Sequence, residues 1–138
     1  DVDGVLVDLG NTNISYSPNV IAGNIFTFLP VKNMQISLLS KYVGEQYMSN
    51  VDSKVSKLNS YFINDLNAVY EIKTQSVFKT VALTLLVNNI LNREYISNGY
   101  YYSYNDDWSN PGTTKTIEGT GYYPQATRNF LLGLQLKF

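Results

Sequence analysis

The chain has 138 residues, with no cysteine, no histidine, and ten basic side chains against eleven acidic ones. The length suffices for one ordinary domain, and the absence of cysteine and histidine excludes a disulfide scaffold, a thiolate metal site and the commonest general base. A near-neutral charge without a cluster of Lys and Arg gives no electrostatic footprint for nucleic acid.

Residues 1–23 are rich in Asp, Asn, Gly, Ser and Pro, and this composition predicts a polar loop with one short strand around Val5–Leu9. They contain no basic segment followed by an apolar one, so any export signal is expected upstream of Asp1. From residue 24 to residue 138 the sequence changes to strand-length segments separated by turn residues. We therefore predict β-structure over residues 24–138.

Four strand segments come first in this region. Ile25–Leu29 stops at Pro30, which cannot donate to a central ladder. The next three segments are longer and alternate between apolar and polar residues; they are Met34–Met48, Leu58–Lys73 and Phe78–Tyr95. The third of these also fits an amphipathic helix, but its Val and Thr residues favour a strand.

Residues 97–121 form a polar, Tyr-rich stretch punctuated by Gly and Pro, which predicts one long loop. The segment Tyr123–Phe138 then predicts the last strand, because every second residue near its end is apolar. These apolar residues are Phe130, Leu132, Leu134, Leu136 and Phe138.

The links between the segments alternate in length. Short links at Pro30–Asn33 and Thr74–Ser76 alternate with long polar links at Ser49–Lys57 and Ser97–Gly121. Outer-membrane barrels have this asymmetry, with short periplasmic turns and long extracellular loops. No apolar run approaches the roughly 18 residues of a transmembrane helix, whereas a tilted barrel strand needs only about 9–11. Closure of a barrel takes about eight strands, so five predicted strands indicate a part of a larger barrel.

Four phrases resemble the C-terminal end of TonB-dependent outer-membrane receptors, especially those of Bacteroides-like bacteria. The phrases are Lys41–Tyr47 followed by Asn50, Tyr61-Phe62 with Asp65, Leu66 and Tyr70, Asn89–Asn92 with Tyr95, and Tyr123–Phe130 running to Phe138. The resemblance thins before Asn24. It implies an all-β fold, an antiparallel meander of about five long strands within a barrel of about 22 strands, plugged by an N-terminal domain that is absent from this chain.

The resemblance also implies a function, active transport of a scarce bulky solute of the ferric siderophore, haem or cobalamin type across the bacterial outer membrane. The expected partners are outer-membrane lipid, the TonB energy-transducing complex acting through the plug, the barrel-assembly machinery and the small-molecule solute. No nucleic acid, cofactor, metal or enzymatic activity is expected. A glycan importer of the same superfamily and a soluble, Tyr-rich carbohydrate-binding β-sandwich stay open as alternatives.

Two sets of residues are assigned to the wall of the expected barrel. Gly133, Leu136 and Phe138 match the assembly signal of outer-membrane proteins, although Leu131 stands where a polar residue is more usual. The alternation predicts a lipid-facing set made of Phe130, Leu132, Leu134, Val81, Leu83 and Leu85. The polar residues between them are expected to point into the barrel; they are Gln35, Lys41, Glu45, Asp65, Glu71 and Lys137.

The polar loop carries the remaining candidates. Possible substrate contacts are Tyr101, Tyr102, Tyr104 and Trp108, which lie deepest in it. Most of the tyrosines in and beside this loop are expected to pack as an aromatic girdle at the outer leaflet, and the alternative is that they line a ligand vestibule. The set consists of Tyr95, Tyr100, Tyr101, Tyr102, Tyr104, Tyr122 and Tyr123. Asp106 and Asp107, with Asp65 or Glu118, resemble a carboxylate pair, but their polar surroundings predict solvated rather than catalytic groups.

Overall fold

The computed structural model describes residues 8–75 and 77–138, so most of the strand predicted around Val5–Leu9 lies outside the described residues. Leu9 itself is not in a strand. The chain divides into two compact units. We call residues 20–43, 61–95 and 125–138 the sheet unit, and residues 8–19, 44–60 and 96–124 the ribbon unit.

Nine strands and one short 3-10 helix make up the described structure. The strands are β1 Ile21–Phe28, β2 Met34–Val43, β3 Gln46–Tyr47, β4 Lys57–Leu58, β5 Tyr61–Lys73, β6 Thr80–Asn88, β7 Ile96–Asp106, β8 Lys115–Pro124 and β9 Asn129–Lys137. The 3-10 helix spans Lys54–Ser56. No helix in the described part of the chain is long and apolar enough to cross a membrane. The predicted all-β class is confirmed.

The sheet unit is one five-stranded antiparallel sheet in the order β1-β2-β5-β6-β9. Each strand lies beside the next strand of the sheet along the chain, so the predicted meander of five strands is confirmed. The helical alternative for Phe78–Tyr95 is wrong, because Thr80–Asn88 pairs with strands on both sides. Four strands are shorter than predicted. β2 ends at Val43, β5 begins at Tyr61, β6 spans only Thr80–Asn88, and Tyr123 belongs to β8 rather than to β9.

The register of the sheet separates its two faces. Directly paired residues of antiparallel strands project to the same face. One face is apolar along most of its length, and one of its five-residue rows is Phe26, Leu38, Leu66, Val87 and Phe130. The opposite face is mixed, with mostly polar or small residues and a few aliphatic ones; one of its rows is Gln35, Val69, Thr84 and Gly133. A sheet whose two faces differ in this way is suited to contact two different environments.

Asn64 interrupts the apolar face near one end of the sheet. It pairs with Ser40 in the register, and the Ser40 hydroxyl donates to the Asn64 Oδ1 at 2.6 Å. Asn24 lies opposite Ser40 on the next strand, so a short polar row crosses three strands here. Beyond this row the same face continues with Ala22, Tyr42 and Phe62, so the polar row interrupts the apolar face without ending it.

The connections of the sheet unit differ at its two ends. Short links, residues 29–33 and 74–79, join β1 to β2 and β5 to β6 at one end. The long connections, residues 44–60 and 89–128, leave from the opposite end, where Val43 pairs with Tyr61 and Asn88 with Asn129. The expected alternation of short and long links is thus present in the topology.

A compact asparagine turn follows β6. Asn89 and Asn92 both adopt the left-handed backbone conformation, with φ of 51° and 53°. The Asn89 side chain donates to the Arg93 carbonyl at 2.8 Å and accepts from the Arg93 N–H at 2.9 Å. Its own N–H donates to Asp65 at 2.7 Å. Asn89 is only 3% exposed, so these bonds satisfy a buried polar group.

The ribbon unit contains two antiparallel pairs, β3 with β4 and β7 with β8. Its buried side chains include Met48, Ser56 and Leu58. The Ser56 hydroxyl donates to the Ser53 carbonyl at 2.9 Å, and the Ser56 carbonyl accepts from the Met48 N–H at 2.8 Å. These bonds hold the long connection between β2 and β5 in a defined shape.

The prediction of an irregular loop over residues 97–121 is wrong. Ile96–Asp106 and Lys115–Pro124 form a long hairpin with one irregularity between Ile96 and Asn98. Strand signals based on apolar alternation miss this hairpin because its aromatic residues are tyrosines and its other residues are mostly polar or glycine. The irregular part is confined to the tip, residues 107–114.

Candidate functional site

The first candidate surface is the apolar face of the sheet unit. Val81, Leu83 and Leu85 pair in register with Leu136, Leu134 and Leu132, and Val87 pairs with Phe130. All six residues predicted to face lipid therefore share one face. Leu132 is 80% exposed and Phe130 67% exposed. An apolar surface of this extent on a described sheet indicates contact with another apolar phase or partner.

The two edges of this sheet add a second property. Among the described residues, β1 pairs only with β2, and β9 pairs only with β6. Every residue of β1 is exposed, including Phe26 and Phe28. Open edges with exposed apolar side chains invite pairing with further strands.

The residues of the assembly-signal match lie along the β9 edge. Gly133 pairs with Thr84, and Leu136 pairs with Val81 on the apolar face. Phe138 follows the last strand residue, and its ring lies 5.0 Å from the Phe78 ring, centroid to centroid. Leu131, which departs from the pattern, projects to the opposite face from Leu132 and pairs with Leu86.

The second candidate surface is a row of aromatic rings on the hairpin of the ribbon unit. The Tyr102 and Tyr104 ring centroids lie 6.5 Å apart with planes within 6°, and those of Tyr104 and Trp108 lie 5.9 Å apart with planes within 4°. All three side chains are exposed. We call Tyr102, Tyr104 and Trp108 the aromatic platform.

Glycines on the neighbouring strand make room for the tyrosine rings. Tyr102 pairs with Gly119 and Tyr100 with Gly121. Each ring occupies the space that a side chain at its partner glycine would fill. The rings therefore lie over the backbone of β8, which limits their motion and leaves part of their surface open to solvent.

Tyr101 does not belong to the platform, contrary to the grouping expected from sequence. It alternates to the other face of β7, where its hydroxyl donates to Glu118 at 2.5 Å. This bond raises the pKa of Tyr101 and lowers the pKa of Glu118. A Ser53 hydrogen bond also lowers the pKa of Glu118, so the pair links the hairpin to the loop that carries the 3-10 helix.

The carboxylates considered as a pair have separate partners. Asp106 accepts from the Ser109 N–H at 3.1 Å at the hairpin tip, and the hydrogen bonds of Ser109 lower the pKa of Asp106. Asp65 accepts from Asn89 in the asparagine turn, and Glu118 accepts from Tyr101. Within residues 8–75 and 77–138, no group of three or more acidic side chains is arranged to hold a metal ion.

The expected aromatic girdle is divided in the structure. Tyr95 packs on Tyr61 in the sheet unit with ring centroids 4.5 Å apart. Tyr100 and Tyr123 approach to 6.2 Å on the platform face of the hairpin, while Tyr122 projects to the face of Tyr101. The sequence offers a signal for this arrangement, because Tyr100, Tyr102 and Tyr104 are spaced two residues apart on β7, as Gly119 and Gly121 are on β8.

Most of the polar residues that were predicted to point into a barrel share one face of the sheet. Gln35, Lys41, Asp65, Glu71 and Lys137 lie on the face opposite the apolar rows. Glu45 is different, because it lies in the ribbon unit and forms an ion pair with Lys57 at 2.5 Å. The hydrogen bond from Lys57 to Glu45 raises the pKa of Lys57.

Searches against protein-family models, curated proteins and solved structures find no match for this chain. The likeness to TonB-dependent receptors therefore depends on the four phrases in the sequence. The structure gives a local role to one of them, since Asn89 and Asn92 of the third phrase form the turn after β6.

Proposed function

We propose that this chain is the C-terminal wall segment of a TonB-dependent outer-membrane transporter that imports a scarce bulky solute. The observation that carries the proposal is the apolar face of the five-stranded sheet, on which Leu132 is 80% exposed. Lipid satisfies such a face without a covering layer, and a strand wall with apolar residues outward is the form that barrels use.

The open edges support the larger size of the proposed barrel. An edge strand in hydrocarbon would leave N–H and C=O groups without partners, so β1 and β9 need neighbours in a membrane. Further strands before β1 would supply them, and β9 would close the barrel against the first strand of the full protein. A total of about 22 strands follows from the family resemblance.

The two ends of the sheet fit the proposed orientation. The short links, residues 29–33 and 74–79, suit periplasmic turns, and the long connections, residues 44–60 and 89–128, suit extracellular loops. The hairpin of β7 and β8 then belongs to the solute-capturing side. In this proposal the plug domain and its contact with the TonB complex belong to other parts of the protein. The role of these residues is to form part of the barrel wall and to contact the solute, not to catalyse a reaction.

Cysteine labelling tests the proposal, because these 138 residues contain no cysteine and the unsubstituted full protein, labelled in parallel, gives the background from any cysteine elsewhere. Leu131 and Leu132 are adjacent, chemically identical and both exposed at the β9 edge, but they project to opposite faces. In the protein expressed from its own gene, we expect Leu132→Cys in isolated outer membranes to react with a membrane-partitioning maleimide and resist a charged one. Leu131→Cys should react with the charged maleimide.

Two results would contradict the membrane wall. One is recovery of the protein in the soluble fraction without detergent, and the other is equal reaction of both cysteines with the charged reagent. Labelling after denaturation serves as the control for thiol availability. A soluble carbohydrate-binding β-sandwich, the rival fold, predicts the first of these results.

A further inference from the structure

We propose that the aromatic platform binds a neutral carbohydrate chain, with sugar rings stacked on Tyr102, Tyr104 and Trp108. As a step in solute capture, this inference rests on the proposed transport function. The binding surface itself is argued from the geometry and charge of the hairpin.

The orientation of the rings is the first argument. The planes of Tyr102 and Tyr104 agree within 6° and those of Tyr104 and Trp108 within 4°, so the three rings form one row. Aromatic faces carry negative charge density, and the C–H groups on the flat side of a pyranose carry positive density. All three side chains are also exposed, so the row offers aromatic surface to successive sugar units, which a single ring could not.

The glycine backing is the second argument. Because Tyr102 lies over Gly119, its ring is held against the backbone of β8 instead of moving freely in water. Gly119 and Gly121 leave this space on one face of the hairpin, the face that carries the platform. A ring already fixed in position loses less conformational entropy when a ligand stacks on it.

Charge is the third argument, and it separates a sugar from the anionic solutes. Between residues 96 and 124 the carboxylates are Asp106, Asp107 and Glu118, and the one cation is Lys115. A haem with its propionates or an anionic ferric complex would meet net repulsion on this hairpin. A neutral polyhydroxylated chain meets none.

The surroundings of the platform supply polar partners for hydroxyl groups. Asp107, Ser109 and Asn110 are exposed at the hairpin tip beside Trp108. Carboxylate, hydroxyl and amide groups can accept from or donate to sugar hydroxyls while the rings hold the sugar faces. Lipid tails could not use these groups, so the hairpin tip suits a hydrated ligand better than the membrane core.

Trp108 is the only tryptophan of these 138 residues and lies in the platform. The difference in fluorescence between the full protein and its Trp108→Phe variant therefore reports on occupancy. The probes are neutral hexasaccharides of β-1,4-glucan, α-1,4-glucan, β-1,4-mannan and β-1,4-xylan, titrated into the full protein in detergent. We expect at least one to give a saturable change at millimolar concentration or below. Tyr104→Ala should weaken that binding about tenfold, because it removes the central stacking ring.

Tyr122→Ala is the matched control, because Tyr122 is 45% exposed and Tyr104 46% exposed, but they project to opposite faces of the hairpin. It should leave the affinity unchanged. The inference is overturned if no hexasaccharide binds, if both variants weaken binding equally, or if haemin binds with Tyr104-dependent affinity instead. Quenching of Trp108 by brominated lipid in vesicles would also overturn it, by placing the platform in the membrane. None of these results bears on the cysteine labelling of β9, so the two proposals fail separately.

Discussion

The sheet unit and the ribbon unit both expose alternating side chains on antiparallel strands, but the chemistry of the exposed surfaces differs. On β9 the exposed row consists of residues such as Leu132 and Leu134, which have no polar atom. On β7 the row consists of Tyr100, Tyr102 and Tyr104, whose rings end in hydroxyls. Tyrosine suits a half-hydrated position, whereas a continuous leucine row does not. Exposure alone therefore does not indicate which medium a surface contacts. The presence or absence of polar side-chain atoms does.

The most direct test of this difference between the two surfaces is to place a charged side chain on each of them. If the sheet is the membrane wall that we propose, Leu132→Lys should destabilise the folded protein by about 2–4 kcal/mol, the cost of a lysine on the lipid face of a barrel. Tyr104→Lys, on an exposed surface in water, should change the stability by no more than about 0.5 kcal/mol. Urea unfolding in lipid vesicles measures both.

Leu131→Lys is the internal control for that experiment, since residue 131 projects to the other face of the same strand. Equal destabilisation by the lysines at positions 131 and 132 would mean that the two faces of β9 meet the same environment. The distinction between lipid and water would then be lost.

Substitutions in the asparagine turn test how much this turn contributes to the stability of the sheet unit after β6. Asn89→Ala should cost about 1–3 kcal/mol, because the Arg93 N–H and C=O lose their partner in a part-buried turn. Asn89→Gly removes the same bonds but relieves the left-handed backbone conformation, so it should cost less than the alanine variant. Urea unfolding of both variants separates the two contributions, and a neutral Asn89→Ala would show that the turn is not a stabilising element.

In the ribbon unit, two glycines allow a matched pair of substitutions. A side chain at Gly99 meets the backbone oxygen of Gly121 and the sulfur of Met48, whereas one at Gly121 meets the ring of Tyr100, which can swing away. Gly99→Ala should therefore cost about 1–2 kcal/mol, and Gly121→Ala less. Near-ultraviolet circular dichroism should instead change more for Gly121→Ala, because it displaces a tyrosine. The reverse order of stabilities would contradict the described packing.

The smallest expected effect is a pH dependence at the pair formed by Tyr101 and Glu118. The hydrogen bond from Tyr101 lowers the pKa of Glu118 from its ordinary value of 4.5. A lowered pKa in the folded state contributes stability above that ordinary value, and the contribution is lost as the pH falls through the lowered pKa. Tyr101→Phe should therefore reduce stability slightly at neutral pH and have less effect in acid. Unfolding curves at pH 7 and in acid should differ in this direction, and an identical loss at both would exclude the coupling.

The alternation of apolar residues was enough to predict the sheet. Val81, Leu83 and Leu85 were predicted on one face, and pairing with β9 places them there, because burial or lipid contact selects one side of a strand. The strand ends were less predictable. The break after Val43 falls at Gly44 and Glu45, where the chain passes into a second strand pair and no apolar signal marks the change.

The hairpin of the ribbon unit could not be found by the same reasoning. Its strands carry tyrosine rings over glycines across the ladder, as Tyr102 lies over Gly119, and not a run of alternating aliphatic residues. From composition alone, residues 97–121 are therefore predicted to form a loop. The spacing of two residues between Tyr100, Tyr102 and Tyr104 and between Gly119 and Gly121 is the local sign of the pairing. The same spacing places Tyr101 on the face opposite Tyr102 and Tyr104.

The exit of both long connections from the same end of the five strands has a consequence for evolutionary change. Residues 44–60 and 89–128 can lengthen, shorten or diverge without altering the register of β2, β5, β6 and β9. Natural variation among relatives should concentrate at that end, while the wall keeps its spacing. Related proteins could in this way differ in the surfaces that these connections present while they keep the same five-stranded sheet.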